Sequence, residues 1–225
     1  MPSLRDAMQN LARDAAKLAK GSRTVGLGSG STATYIVKEL AGLKDKDRME
    51  FVPTSLQIKI EAEKNNLRIA DESRIPEIDI VFDGADQIDA DYNMIKGGGG
   101  ALLREKILIS SAKRVVILAD ESKYVKHFSR SVPIEVHPMA RSSAAKRLTR
   151  MGGTPRIRLL EKGYPFITEN GNMILDTAFA SMVDPARMEI ELKSIPGVME
   201  VGLFTRKADV YYKAKSDGTF VKIAL

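Results

Sequence analysis

The sequence of 225 residues contains no cysteine and only two histidines. Without cysteine there is no disulfide and no thiolate metal site. His127 and His137 lie outside the glycine-rich stretches and show no His-x-x-x-His or similar ligand spacing, so no transition-metal site is expected. His137 precedes Pro138 and reads as structural. No apolar run approaches the length of a membrane span. The first residues, Met1-Pro-Ser-Leu-Arg-Asp6, lack the apolar stretch of a signal peptide, so a soluble, cytoplasmic protein is expected. A clustered charge of one sign is missing too. The 35 Lys and Arg exceed the 29 Asp and Glu by six, but they are dispersed among the acids. That pattern argues against nucleic acid and for a small anionic substrate. Long repeats and low-complexity segments are absent, and a hydrophobic content of 44% is ordinary for one or two domains with a real core.

What is present centres on Ile80-Val81-Phe82-Asp83-Gly84-Ala85-Asp86, followed by Lys96, four glycines from Gly97 to Gly100, and Glu105. Ile80 to Phe82 form an unbroken apolar run, as in a strand buried on both faces of a parallel sheet. Two carboxylates, Asp83 and Asp86, follow at its carboxyl end, where open α/β sheets place ligands. Four consecutive glycines serve no regular element. They suit a backbone that approaches a ligand with its N–H groups available. Ala101 to Ile109 has helical composition, so the run leads into a helix start, an anion site, with Glu105 near it. Two Asp, a Lys, a glycine nest and a Glu make an acid/base site for a small polar, phosphorylated ligand.

Elsewhere, Ser3 caps a helix running to about Lys20, with Gly21 as its stop. Thr24 to Leu27 reads as a strand, Gly28-Ser29-Gly30-Ser31-Thr32 as a phosphate-cradle loop, and Ala33 to Leu40 as a helix. The next strand, Glu50 to Val52, ends in Pro53-Thr54-Ser55. Hydroxyls stand where a dinucleotide fold needs a ribose-binding acid, which counts against a nicotinamide cofactor. Thr54 and Ser55 either touch a sugar phosphate or cap the helix Leu56 to Asn65, and capping is favoured for Ser55. Leu67 to Ala70, Ile78 to Phe82 and Arg114 to Ala119 are further expected strands. The last ends at Asp120 and Glu121, with Lys123 beyond: Asp120 is a turn residue or a site residue, and Lys123 a solvated lysine or a second cation. From about Ser129 the pattern becomes antiparallel α+β. Strands are expected at Val132–Val136, Arg156–Leu160, Phe166–Thr168 and Met173–Leu175, helices at Ala140–Met151 and Pro185–Ser194, and a hairpin turn at Asn170-Gly171. Val201–Phe204 and Val210–Tyr212 are late strands that return to the first domain. The expected architecture is α/β: a Rossmann-like, mostly parallel sheet domain from residues 1–128 and 200–225, with a smaller α+β, ferredoxin-like domain at 129–199.

Gly26-Leu-Gly-Ser-Gly-Ser-Thr32, Asp83-Gly-Ala-Asp86, Lys96-Gly-Gly-Gly99 with Arg104-Glu-Lys106, and Asp120-Glu-Ser-Lys123 together resemble the signature set of type A ribose-5-phosphate isomerase. The second half resembles it in Pro138-Met-Ala-Arg141, Gly171-Asn-Met-Ile-Leu-Asp176, Ile195-Pro-Gly-Val198 and Gly202-Leu-Phe204. Ser29 replaces the more usual Thr, Gln87 the usual Glu, and Gly100 stands where Ala is common. The resemblance implies metal-free, cofactor-free interconversion of ribose 5-phosphate and ribulose 5-phosphate through a cis-enediolate. It implies Glu105 as base, Lys96 as oxyanion partner, and Asp83 and Asp86 as carboxylates that hold sugar hydroxyls and relay a proton. Substrate contacts fall to Ser29, Gly30, Ser31, Thr32, Asp83, Gly84, Ala85, Asp86, Lys96, Gly97, Gly98, Gly99 and Lys123. Which loop takes the phosphate stays open. Homodimers or homotetramers are implied, with the second domain serving assembly.

Two rival readings fit less well. A sugar-phosphate-sensing regulatory domain should carry a helix-turn-helix before the sensor, yet the first loop begins by residue 26, and such a domain has no use for Glu105 beside Lys96. A nicotinamide dehydrogenase lacks its ribose-binding acid.

Overall fold

The computed structural model describes residues 3–71 and 77–225. The chain divides into two compact units, Met1–Ala85 with Arg104–Lys123 and Ala208–Leu225, and Asp86–Leu103 with Tyr124–Lys207. In chain order the first unit takes α1 (Leu4–Ala16), β1 (Thr24–Leu27), α2 (Ser31–Ala41), β2 (Glu50–Pro53), α3 (Leu56–Lys64) and β3 (Ile78–Asp83). The chain then leaves for β4 (Gln87–Ile88) and β5 (Met94–Ile95). It re-enters the first unit within α4 (Leu102–Ser111) and continues into β6 (Ala112–Asp120). The second unit resumes with β7 (Val132–Val136), α5 (Arg141–Arg150), β8 (Gly153–Ile157), β9 (Met173–Phe179), α6 (Pro185–Lys193), β10 (Val198–Val201) and β11 (Leu203–Phe204). The first unit closes with β12 (Val210–Ala214) and β13 (Phe220–Ala224).

The first unit is built on a six-stranded sheet of order β13-β12-β6-β3-β1-β2, parallel throughout except for β13. Its central strands are buried on both faces, which is why Val81, Phe82, Val115, Val116, Ile117 and Leu118 read as continuous apolar runs. α1 starts where Ser3 and Asp6 form a capping box, and Gly21, at φ +83°, ends the turn that follows it. Its Ala7, Ala12 and Ala15, small enough to let the helix lie close to its neighbours, are fully buried together with Leu11. Tyr212 Oη, from β12, donates to Asp14 Oδ2 at 2.8 Å. That bond satisfies a buried hydroxyl and holds the Asp14 carboxyl below its usual range.

In the second unit, β7-α5-β8-β9-α6-β10 forms a four-stranded antiparallel sheet of order β10-β7-β9-β8, the ferredoxin-like arrangement. Val132, Ile134 and Val136 pack with Ala144 and Leu148 of α5 and Leu192 of α6. The same unit contains a small antiparallel sheet of order β11-β5-β4.

Several expectations are corrected. Leu67–Ala70 is no strand, only one bridge between Ile69 and Phe51. Arg156–Leu160 pairs earlier, as β8, because Gly153 to Ile157 oppose Phe179 to Leu175. Phe166–Thr168 contributes one bridge, Ile167 to Met173. Val201–Phe204 splits between two sheets at Gly202, where a Cβ would lie 2.5 Å from the Lys96 carbonyl oxygen. Those strands stay with the second unit, and only the chain from Ala208 returns to the first. The units' bounds therefore differ from 1–128 with 200–225 and 129–199, since β4, β5 and β11 pair with one another.

Asp79 of β3 fixes where β1 begins. Its Oδ2 accepts from the N–H groups of Arg23 (2.7 Å) and Thr24 (3.1 Å), and Lys113 Nζ lies 3.1 Å from Oδ1. The two backbone donors, then Lys113, hold this carboxyl below its usual range. Asp79→Ala should cost about 1–2 kcal/mol at neutral pH, the scale for losing hydrogen bonds to a charged, partly exposed acceptor. A lowered folded-state pKa gives stability that is present above the unfolded value near 3.9 and lost as pH falls through the folded one. The difference between wild type and variant in denaturant unfolding should therefore shrink in acid. A constant difference from neutral pH down to the acid limb would contradict this role.

Candidate functional site

In the first unit β1, β3 and β6 are parallel neighbours, so the segments that follow them emerge at one sheet edge. After β1 comes Gly28 to Thr32, at the end of β3 sits Asp83, and after β6 the turn Glu121–Lys123. Gly28 N donates to the Phe82 carbonyl at 2.8 Å, which draws the loop onto the end of β3. A Cβ at residue 28 would lie 1.9 Å from Asp83 Oδ1, so this position admits glycine only while the carboxylate stays where it is. Asp83 is 1% exposed, and its Oδ1 accepts from the Gly84 N–H at 2.7 Å. Gly84 lies beside Thr32, where an added Cβ would make only an ordinary contact at 3.5 Å. Ser31 and Thr32 form the first turn of α2 rather than a loop before it, and Gly30, at φ +87°, turns the chain into that helix. Ala85 is the last residue of this stretch in the first unit.

The hydroxyls form a connected set. Ser29 Oγ lies 2.8 Å from Thr54 Oγ1 and donates to Ser55 Oγ at 2.9 Å, while Thr54 Oγ1 donates to the Leu27 carbonyl at 3.0 Å. Ser55 is the N-cap of α3, accepting from Ile58 N. Of the two roles open to Ser55, capping is the observed one.

Glu105 is 5% exposed in the first turn of α4, the helix that carries the chain back to start β6. Because β3 and β6 are parallel, a helix feeding β6 begins at the carboxyl edge, so Glu105 is placed at the edge where Asp83 ends. Asp120 takes the turn role: its Oδ1 accepts from Ser122 N at 2.9 Å and from Ser122 Oγ. Lys123 closes that turn, partly buried.

The second unit holds Asp86, Lys96 and the glycine run. Lys96 is 3% exposed, its N–H bonded to the Gly202 carbonyl at 2.9 Å and its Nζ 5.6 Å from the centre of the Phe204 ring. Asp86 Oδ2 accepts from Gly98 N at 2.7 Å, and a Cβ at residue 98 would lie 2.7 Å from Asp86 Oδ1. Gly97 (φ +98°) is closed in by Leu102, whereas Gly99 is exposed with nothing near its missing side chain. Two residues escaped the sequence reading. Arg158 Nη1 donates to the carbonyls of Gly97 (2.8 Å) and Gly98 (3.0 Å), and Phe166 packs over Gly100. Nothing in a lone arginine some sixty positions downstream signals this. Gln87 is also engaged, its amide binding Ser129 Oγ, Ser129 N and Arg130 N. The Nε2 donor to Ser129 is one that a glutamate lacks. His137 caps the turn Pro138–Ala140, accepting from Met139 N. Among the described residues no group of three or more His, Cys, Asp or Glu is placed to hold a metal ion, and no helix is long and apolar enough to cross a membrane.

The family model for ribose 5-phosphate isomerase A (phosphoriboisomerase A) matches residues 50–218. Ribose-5-phosphate isomerase A of Methanosarcina acetivorans is 42% identical over 200 residues, covering 88% of this chain and 86% of that protein. The enzyme of that name from Korarchaeum cryptofilum is 41% identical over 217 residues, covering 95% and 94%. Among solved structures, ribose 5-phosphate isomerase A from Methanocaldococcus jannaschii superposes with a TM-score of 0.90 at 35% identity, covering 99% of this chain and 100% of that one. A D-ribose-5-phosphate isomerase in complex with phospho-erythronic acid gives 0.89 at 35% identity, with both chains fully covered.

Gly100 sits at φ +84°, and a Cβ there would lie 2.5 Å from the Phe166 ring. Gly100→Ala should therefore destabilise the protein by about 1–3 kcal/mol, combining a left-handed backbone with a displaced ring. Gly99→Ala, with open space around it, should stay within about 0.5 kcal/mol of wild type. Equal unfolding midpoints for the two variants would contradict this assignment.

Proposed function

The chain belongs to the ribose 5-phosphate isomerase A family, and from that premise we propose that it interconverts D-ribose 5-phosphate and D-ribulose 5-phosphate through a cis-enediolate. The observation that supports the chemistry best is the buried Glu105 in the first turn of α4, at the carboxyl edge where β3 delivers Asp83. In this reading the Glu105 carboxylate removes the C2 proton of the open-chain aldose. The electron pair moves onto the C1 carbonyl oxygen, giving the enediolate. The Lys96 ammonium balances the charge on that oxygen. Asp83 and Asp86 hold the sugar hydroxyls and pass a proton between O2 and O1. Glu105 then returns its proton to C1, leaving the carbonyl at C2. The reaction is a redistribution within one molecule, so no oxidant, reductant or cofactor enters.

Ser29, Gly30, Ser31 and Thr32, the stretch Gly84 to Ala85, the run Gly97 to Gly99, and Lys123 supply the remaining contacts to phosphate and hydroxyls. The proposed setting is the non-oxidative pentose phosphate pathway in the cytoplasm. We assign assembly into a homodimer or homotetramer to the ferredoxin-like sheet and its helices. That unit carries Met139, Val183 and Ile190, apolar side chains 90%, 92% and 71% exposed.

Glu105→Gln keeps size and removes the base. It should lower turnover by about 10²–10⁴-fold. The variant should still bind phospho-erythronic acid and should no longer exchange the substrate C2 proton with solvent deuterium. Exchange at the wild-type rate would move the base to another carboxylate. Lys96→Ala should lower turnover by about 10²–10³-fold, the scale for one oxyanion partner. Wild-type turnover in that variant would remove the oxyanion role from Lys96. With EDTA present, ketose formation from ribose 5-phosphate by the wild-type protein should be unchanged; loss restored by a divalent ion would sink the metal-free mechanism.

A further inference from the structure

Arg158 stands one residue beyond β8, and its guanidinium is divided between two neighbours within the second unit. Nε and Nη2 fork onto Asp176 of β9, at 2.9 Å from Oδ2 and 2.5 Å from Oδ1. Nη1 donates to the carbonyl oxygens of Gly97 and Gly98 at 2.8 and 3.0 Å. Four of the five N–H donors of the fork are thereby engaged. The Phe166 ring, which also packs over Gly100, lies 5.8 Å from the guanidinium carbon. Only 15% of the Arg158 side chain is exposed.

In a trans peptide the carbonyl and the following N–H point in opposite directions. Holding the carbonyls of Gly97 and Gly98 on Arg158 therefore turns the N–H groups of Gly98 and Gly99 away from it. The first of these meets Asp86 Oδ2 at 2.7 Å. The second belongs to the one glycine of the run that has open space where a side chain would be. We propose that Arg158, oriented by Asp176, is a positioning residue for the isomerase reaction: it sets the two glycine peptides so that Gly98 holds the Asp86 carboxylate and Gly99 offers its N–H to an oxygen of the sugar phosphate. This rests on the isomerase reading above. Arg158 acts through the backbone of the loop, with its own charge compensated by Asp176. Lysine is no substitute, because a single ammonium lacks the planar fork that grips a carboxylate on one side and two carbonyls on the other.

The rival is that the pair only ties β8 to β9, since Asp176 pairs with Arg156 across those strands. Arg158→Lys and Asp176→Asn separate the two. For Arg158→Lys the proposal expects kcat for ribose 5-phosphate to fall by up to about 10²-fold, the scale of a small misplacement in a site, with a much smaller change in KM. It also expects the amide proton of Gly98, bonded to a carboxylate in the wild type, to move upfield. Asp176→Asn should shift both in the same direction by less, because the guanidinium remains and only its anchor weakens. A tie between strands would lower the unfolding midpoint and leave kcat and the Gly98 amide where they are; that result overturns the proposal. If Arg158→Lys does not fold, Asp176→Asn decides by the same readouts. The amide shift is read without substrate. A wild-type protein inactive on ribose 5-phosphate would thus overturn the isomerase reading, while the amide shift alone would still decide whether Arg158 orients the loop.

Discussion

The chain twice seats a carboxylate in space that a side chain on a neighbouring glycine would fill. Asp83 does so against Gly28 in the first unit, and Asp86 against Gly98 in the second. A carboxylate away from water needs donors. Close approach to a bare backbone supplies them as N–H groups, from Gly84 to Asp83 and from Gly98 to Asp86. The glycines of the two loops thus serve the acids as much as any ligand. That constraint fixes the rest: the loop after β1 must lie on the end of β3, and the loop after β5 must fold back over Asp86.

The sheet around Asp83 makes this arrangement stable. β1, β3 and β6 are buried parallel strands with little freedom to shift register. Asp79 marks the start of that register and Asp83 its end, one carboxylate at each edge of β3. In the second unit rigidity comes by another route. Leu102, Phe166 and Arg158 surround the glycine run, so a stretch of four glycines, which alone would be the most mobile part of a chain, is held from several sides.

Much of this was legible. The apolar run ending at Asp83, the glycine loop after β1 and the helix after Gly100 are local signals, and hydrophobic pattern and capping place these three. Ser55 as a cap followed from the same rules. What stayed hidden is non-local. Two-residue strands such as β4 and β5 have no periodicity to detect, so their pairing with β11 was missed, and with it the membership of Val201–Phe204 in the second unit. The contacts of Arg158 and Phe166 with the glycine run depend on β8 and the Asn170-Gly171 turn delivering them to residues some sixty positions earlier. No composition or spacing rule carries such information.

The order in which the chain visits its two units has a bearing on its synthesis. β12 lies between β6 and β13 in the first sheet, and its Tyr212 bonds to Asp14 of α1 across 198 positions. An emerging polypeptide therefore holds α1, β1, β3 and β6 with one side of β6 unpaired until β12, from Val210, has been made. A parallel edge rich in valine and isoleucine, left waiting for its neighbour, is the kind of surface on which nascent chains aggregate. The second unit shares the wait, because β7 gains β10 and β5 gains β11 only once Val198 to Phe204 have been made.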